Sequence, residues 1–275
     1  MKKIIVAFDG ANYPETALQF LVELNNKNPI LAVGAFMPQT TLSTLWIETG
    51  GSANGPDFIP YVAEDVGDII RTNVRHFENF CTDHNIEYRV HRDFFDFTIQ
   101  ELKKESRFAD LVMICSGTFY AHMGDDPNVF LTEALREVEC PVIVLPEEYS
   151  FPTANILAYD GTASSVYSIK MFAYLFPELA TNPTTIVYAD RDFNEPIPDA
   201  LNIHELAARH FDNLTLFKLP ADPKKYFGTW LLEHNASIVV CGAYGGRAFS
   251  RLFHKSFSIE MLKEQRLPVF IAHNR

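Results

Sequence analysis

Short apolar runs alternate along this chain with longer segments in which apolar residues recur every three or four positions. The first run, Ile4-Ile5-Val6-Ala7-Phe8, has no polar residue to mark a solvent face, so it predicts a strand buried on both sides. It stops at Asp9-Gly10, and residues 14–24 follow with helical spacing and a proline at their start. Residues 29–36 predict a second strand, and residues 63–84 a helix with Val66, Ile69, Ile70, Val74, Phe77 and Phe80 as its apolar stripe. Between these two lie residues 37–61, rich in Thr, Ser, Gly, Asn and Pro and without a period, which predict a long loop. Residues 86–91 alternate and predict a third strand. A helix over 96–106, a buried strand over 109–115, a helix over 129–138 and a strand over 140–145 follow. Strands alternating with helices define βαβ units and a parallel sheet covered on both faces, an α/β fold.

Beyond residue 152 the same order begins again. A strand over 155–159 ends in Asp160-Gly161, as the first ended in Asp9-Gly10. The pattern then predicts helix 165–175, strand 184–188, helix 202–210 and strand 214–219. Helix 225–233, strand 236–241, helix 256–264 and strand 268–272 complete it. The two copies keep register: the spacing from Ala109-Asp-Leu-Val to Ala236-Ser-Ile-Val is also the spacing from Pro141-Val to Pro268-Val. Asp9 and Asp160 stand further apart than that, so the first copy holds extra residues between its first and fourth strands, and 37–61 is the place for them. One α/β unit used twice predicts domains over 1–147 and 152–275.

Composition narrows the class. The chain has 275 residues, 47% of them hydrophobic and 21% charged, which suits a globular protein with a sizeable core. Its 35 acidic against 23 basic residues give a formal net charge of −12, which disfavours nucleic acid and anionic membranes as partners. Cys81, Cys115, Cys140 and Cys241 fall in no metal or redox spacing and predict buried free thiols in a reducing compartment. The opening apolar run is too short for a signal peptide, and no run approaches the ~20 residues of a membrane helix. The expectation is a cytoplasmic protein.

The candidate chemistry lies after the strand Ile238-Val239-Val240-Cys241. There Gly242-Ala-Tyr-Gly245 turns into a basic segment with Arg247, Arg251, His254 and Lys255, ahead of Ser256 and a predicted helix. Glycines let backbone N–H groups approach phosphate oxygens, and a helix start favours an anion. With its Asp-Gly strand ends, its Pro-Val last strands and this glycine turn, the chain resembles tandem universal stress proteins over nearly all of both copies. The resemblance implies two Rossmann-like, flavodoxin-like open parallel sheets of five strands, paired through their fifth strands as an internal pseudo-dimer. It also implies an adenine nucleotide, ATP or AMP, bound after the fourth strand by a Gly-x2-Gly-x9-Gly-Ser/Thr motif.

Gly242, Gly245 and Ser256 match that motif, whereas Lys255 stands in place of its third glycine. By the same resemblance Asp160 lies near adenine and ribose, and Tyr188 lies where an apolar side chain lines the base. In the first copy Cys115, Thr118, Asn128 and Val129 occupy the four motif positions, so the nucleotide is expected in the second half alone. Other readings stay open: a different anion, a structural or protein-interaction module with an unidentified partner, or a weak ATP hydrolase, for which no base or carboxylate pair is evident. No turnover reaction is defined, and a further homodimer is compatible with the sequence. Asp9 reads as a helix cap and His122-Met-Gly-Asp-Asp126 as a solvated loop rather than a metal site. The apolar residues Leu45, Trp46, Ile47, Phe58 and Ile59 of the long loop suit a lid or a subunit contact.

Overall fold

The computed structural model describes residues 1–9, 13, 15–37, 64–91, 99–115, 134–146, 148–189, 196–219, 230, 234, 236–242 and 267–272. The apolar runs form strands β1 Lys2–Asp9, β2 Ile30–Met37, β3 Glu87–Val90, β4 Leu111–Cys115 and β5 Val142–Leu145 in the first half. In the second half they form β6 Ala154–Ala158, β7 Thr184–Ala189, β8 Leu214–Leu219, β9 Ser237–Gly242 and β10 Val269–Ala272. The amphipathic segments form helices α1 Glu15–Lys27, α2 Glu64–Asp83 and α3 Ile99–Ser106, then α4 Ala163–Leu175, α5 Pro177–Ala180 and α6 Ala200–Ala207. Residues 134–137 are also helical. The predicted loop 37–61, beyond its first residue at the end of β2, and the predicted helix 256–264 lie outside the described residues, as does nearly all of the predicted helix 225–233.

The two five-stranded sheets join through their fifth strands, as expected, and so form one continuous sheet. Ten strands run in the order β3-β2-β1-β4-β5-β10-β9-β6-β7-β8. Each half is parallel within itself, and the order of the first five strands recurs among the last five. Only the central pair is antiparallel, with Val144 opposite Val269, Ile143 opposite Phe270 and Val142 opposite Ile271. The uninterrupted apolar runs have their cause in this arrangement, because alternate residues feed two separate cores. Ile4, Val6 and Phe8 face the core under α1, α2, α4 and α6, while Ile5 and Ala7 face the core under α3 and residues 134–138.

Side chains also hold the halves together. The Lys2 ammonium meets a Glu178 carboxylate oxygen at 2.7 Å and lies 5.1 Å from the Phe176 ring centroid. Asn28 Nδ2 donates to the other Glu178 oxygen at 3.5 Å. The Tyr149 hydroxyl donates to the Thr16 carbonyl at 3.0 Å, and Phe151 packs its ring against Phe20 of α1. The four thiols are free and buried.

Two elements depart from the sequence pattern. The helix expected over 202–210 ends at Ala207, and residues 208–210 continue as a turn. Its start is displaced as well, because Asp199 takes a left-handed φ of 46° before Ala200. The four-residue helix α5 was not expected; Pro177 at its first turn sets φ, and one turn is too short to show a period.

Candidate functional site

The strand order of the second half sets where a ligand crevice is expected, at the C-terminal ends of its strands. From β6 the chain crosses over to β7 on one side, whereas β8 returns to β9 on the other side of β6. The reversal between β6 and β9 is the place where open α/β sheets bind ligands, since the loops on either side diverge there.

Asp160 follows β6 at this point. Its Oδ1 accepts hydrogen bonds from the Thr162 backbone N–H at 3.0 Å and the Thr162 hydroxyl at 2.7 Å. Thr162 is the N-cap of α4, and its hydroxyl oxygen accepts from the Ser165 N–H at 3.3 Å. The Ser165 hydroxyl donates back to the Thr162 carbonyl at 2.9 Å. Between Asp160 and Thr162, Gly161 has φ +79°, and a Cβ on it would come within 2.8 Å of Pro198 Cβ. Asp160 therefore organises the start of α4 and directs that helix end toward the crevice.

Gly242 ends β9 against the same helix turn. A Cβ here would lie 2.7 Å from Ser164 Oγ, 2.8 Å from the Ser164 carbonyl carbon and 2.9 Å from the Ser165 nitrogen. Its glycine thus allows α4 to seat against β9, a role the sequence did not reveal. One turn further along α4, the Ser168 hydroxyl donates to the Cys241 carbonyl and accepts from the Ala272 N–H at 3.1 Å. Burial and then the nearby Asp160 charge push the Cys241 thiol up to about 12, which keeps it a protonated packing group.

Tyr188 is 7% exposed at the end of β7 and belongs to the core shared with Tyr159, with the Lys218 ammonium 6.0 Å from its ring centroid. Of the six residues singled out in the sequence, Asp160 and Gly242 meet around the first turn of α4. Tyr188 stands one strand from Asp160 and is built into the core. Gly245, Lys255 and Ser256 lie outside the described residues.

A groove of about 620 Å³ opens beside the crevice, between α4 and α6. One wall carries Val166, Tyr167 and Lys170, the other Asn202, Ile203 and Leu206, and Asp199 stands at the end nearest Gly161 and Thr162. The Tyr159 hydroxyl also borders it and donates to the Pro198 carbonyl at 2.9 Å. Burial raises the Tyr159 phenol pKa, with the Asp199 and Asp160 charges adding to it. These lining residues were missed in the sequence, although a signal was present. Lys170 is the single charged residue of Ala163-Ser-Ser-Val-Tyr-Ser-Ile-Lys-Met-Phe-Ala-Tyr-Leu175, and it follows Tyr167 by one helical turn. Among the described residues, no cluster of His, Cys, Asp and Glu suits a metal ion, and no helix is long and apolar enough to cross a membrane.

Ten strands in two parallel arrays, joined by one antiparallel pair and flanked by helices, define a class of α/β fold. Solved structures similar to it include universal stress proteins. The chain superposes on a universal stress protein from Archaeoglobus fulgidus with a TM-score of 0.69 at 12% identity, covering 99% of this chain and 96% of that one. A putative universal stress protein from Pseudomonas aeruginosa gives a TM-score of 0.56 at 10% identity, over 99% and 93% of the two chains. A protein of unknown function from the same species gives 0.57 at 12% identity, over 99% and 92%. No family model and no curated protein matches the sequence. The chain has the universal stress protein fold over almost its whole length.

Proposed function

We propose that the second half binds an adenine nucleotide, ATP or AMP, in the crevice at the ends of β6 and β9, and that the protein acts by binding rather than by turnover, as a cytoplasmic stress-response protein. The observation that carries this reading is the convergence of Asp160, the N-terminus of α4 and Gly242 at the strand reversal. A helix start offers unpaired N–H groups to an anion, and the glycine turn that begins at Gly242 continues into the basic segment holding Lys255 and Ser256. Four free, buried thiols suit a reducing compartment. Solved structures of the same fold bear the name universal stress protein, which supports the stress-response part of the reading.

Thermal unfolding with and without ATP or AMP tests the proposal. Nucleotide at 100 times its Kd adds about 2.7 kcal/mol of stability, and Gly245→Val abolishes that gain while leaving the unliganded transition in place. An unchanged transition at millimolar nucleotide would refute nucleotide binding. A second reading would then hold, in which the fold serves as a protein-interaction module. The observation favouring it is that Asp160 and Gly242 both have a structural task in seating α4.

A further inference from the structure

The groove between α4 and α6 has a filled counterpart in the first half. Strand pairing sets the correspondence. Ile4 pairs with Leu111 as Asn155 pairs with Ile238, which equates Phe8 with Tyr159. Ala32 pairs with Tyr88 as Thr184 pairs with Leu214. Buried Phe77 and Cys81 then precede Tyr88 by the same distances as buried Ile203 and Ala207 precede Leu214, which equates His76 with Asn202. In the first half the ring of Tyr13 stands between Phe8 and His76, with centroids 6.2 Å and 5.6 Å away. In the second half both counterparts, Tyr159 and Asn202, border the open groove. The Tyr13 hydroxyl is buried without a hydrogen-bond partner among the described residues, so this side chain serves there as a filling ring.

The open groove is also polar at its two ends. Helices α4 and α6 begin side by side, and Asp199 marks that end. Lys170 lies seven residues beyond Ala163, about 10 Å along the helix at 1.5 Å per residue, and Leu206 lies six residues beyond Ala200 along α6. Among the described residues Lys170 has no ion-pair partner, although it is partly buried in the groove wall. Between the two ends run the apolar surfaces of Val166, Tyr167, Ile203 and Leu206. The volume lies within the roughly 300–1,000 Å³ of small-molecule sites.

We infer that this groove is a binding site for a planar aromatic acid, with its ring where the first half places Tyr13, its carboxylate at Lys170 and a hydroxyl donating to Asp199. The groove adjoins the proposed nucleotide crevice at the first turn of α4, through Gly161, Thr162 and Ala163, but Asp160, Tyr188 and Gly242 do not line it.

Titration calorimetry of the full chain with para-hydroxycinnamate tests the assignment, since that probe is planar and carries a phenol and a carboxylate at opposite ends. Saturable binding with one site per chain is expected. Lys170→Met weakens it at least about tenfold, the loss of one charge-assisted contact. The neutral amide of the probe binds the original chain and Lys170→Met equally and weakly. Asn202→Phe, which puts a bulky ring on the groove wall, abolishes binding, and an unchanged melting temperature for Lys170→Met keeps the result independent of folding defects. Gly245→Val leaves probe binding intact, which separates this site from the nucleotide reading. Absence of heat at millimolar probe, or equal affinity in Lys170→Met, would overturn the proposal. Displacement of the probe by AMP would assign the groove to a nucleotide site and overturn it likewise.

Discussion

Gly242 shows how one residue serves two arguments at different strengths. Its backbone lies so close to Ser164 and Ser165 that any Cβ must displace the first turn of α4. Gly242→Ala is therefore expected to destabilise the protein by about 1–3 kcal/mol, read as a lower urea midpoint in the absence of any ligand. A midpoint unchanged from the original chain would leave phosphate approach as the sole reason for this glycine. The thiols make a second expectation at this scale. Burial pushes Cys81, Cys140 and Cys241 from 9.0 up to about 12, with the Asp110 charge a further cause at Cys140 and that of Asp160 at Cys241. Between those values the unfolded chain has released protons that the native chain still holds. Their stabilising contribution is complete below pH 9 and is lost as pH rises toward 12. Denaturant midpoints measured across that interval are expected to fall, and alanine at Cys241 is expected to flatten the decline.

At the scale of elements, the strands were legible because each is a run of apolar residues that must face two cores. Ile4 to Phe8 and Leu111 to Cys115 leave no alternative face for water. Long helices were legible from their stripes, as α2 was from Ile70, Val74 and Phe77. The ends of α6 were not, because Leu201, which looks like part of an apolar face, is 86% exposed and the helix is set by the left-handed Asp199 instead. The groove was illegible for a related reason. Lys170 reads as an ordinary solvated residue until the neighbouring helix shows which side of α4 it is on. Asp160 was legible as a strand-end residue, yet its bond to Thr162 and the packing of Gly242 depend on a contact between segments far apart in sequence. Such closeness leaves no periodic trace.

For the whole molecule, the β5·β10 junction is decisive. Val142, Ile143 and Val144 lie across from Val269, Phe270 and Ile271, and all six are buried. Because both partners belong to one chain, the melting temperature is expected to stay constant over a hundredfold dilution, whereas an obligate dimer would lose stability with each dilution step. Analytical ultracentrifugation over the same range checks for any further association.

The filled and open versions of the α4–α6 position take on another meaning in this light. Two identical subunits joined through a fifth strand carry the same residue at every equivalent place, so any change in one pocket is imposed on both. Here a single chain holds both places. Tyr13 can close one of them while Tyr159 and Asn202 leave the other open. Covalent union has released the two halves from symmetry: a place that is filled in one can stay open in the other.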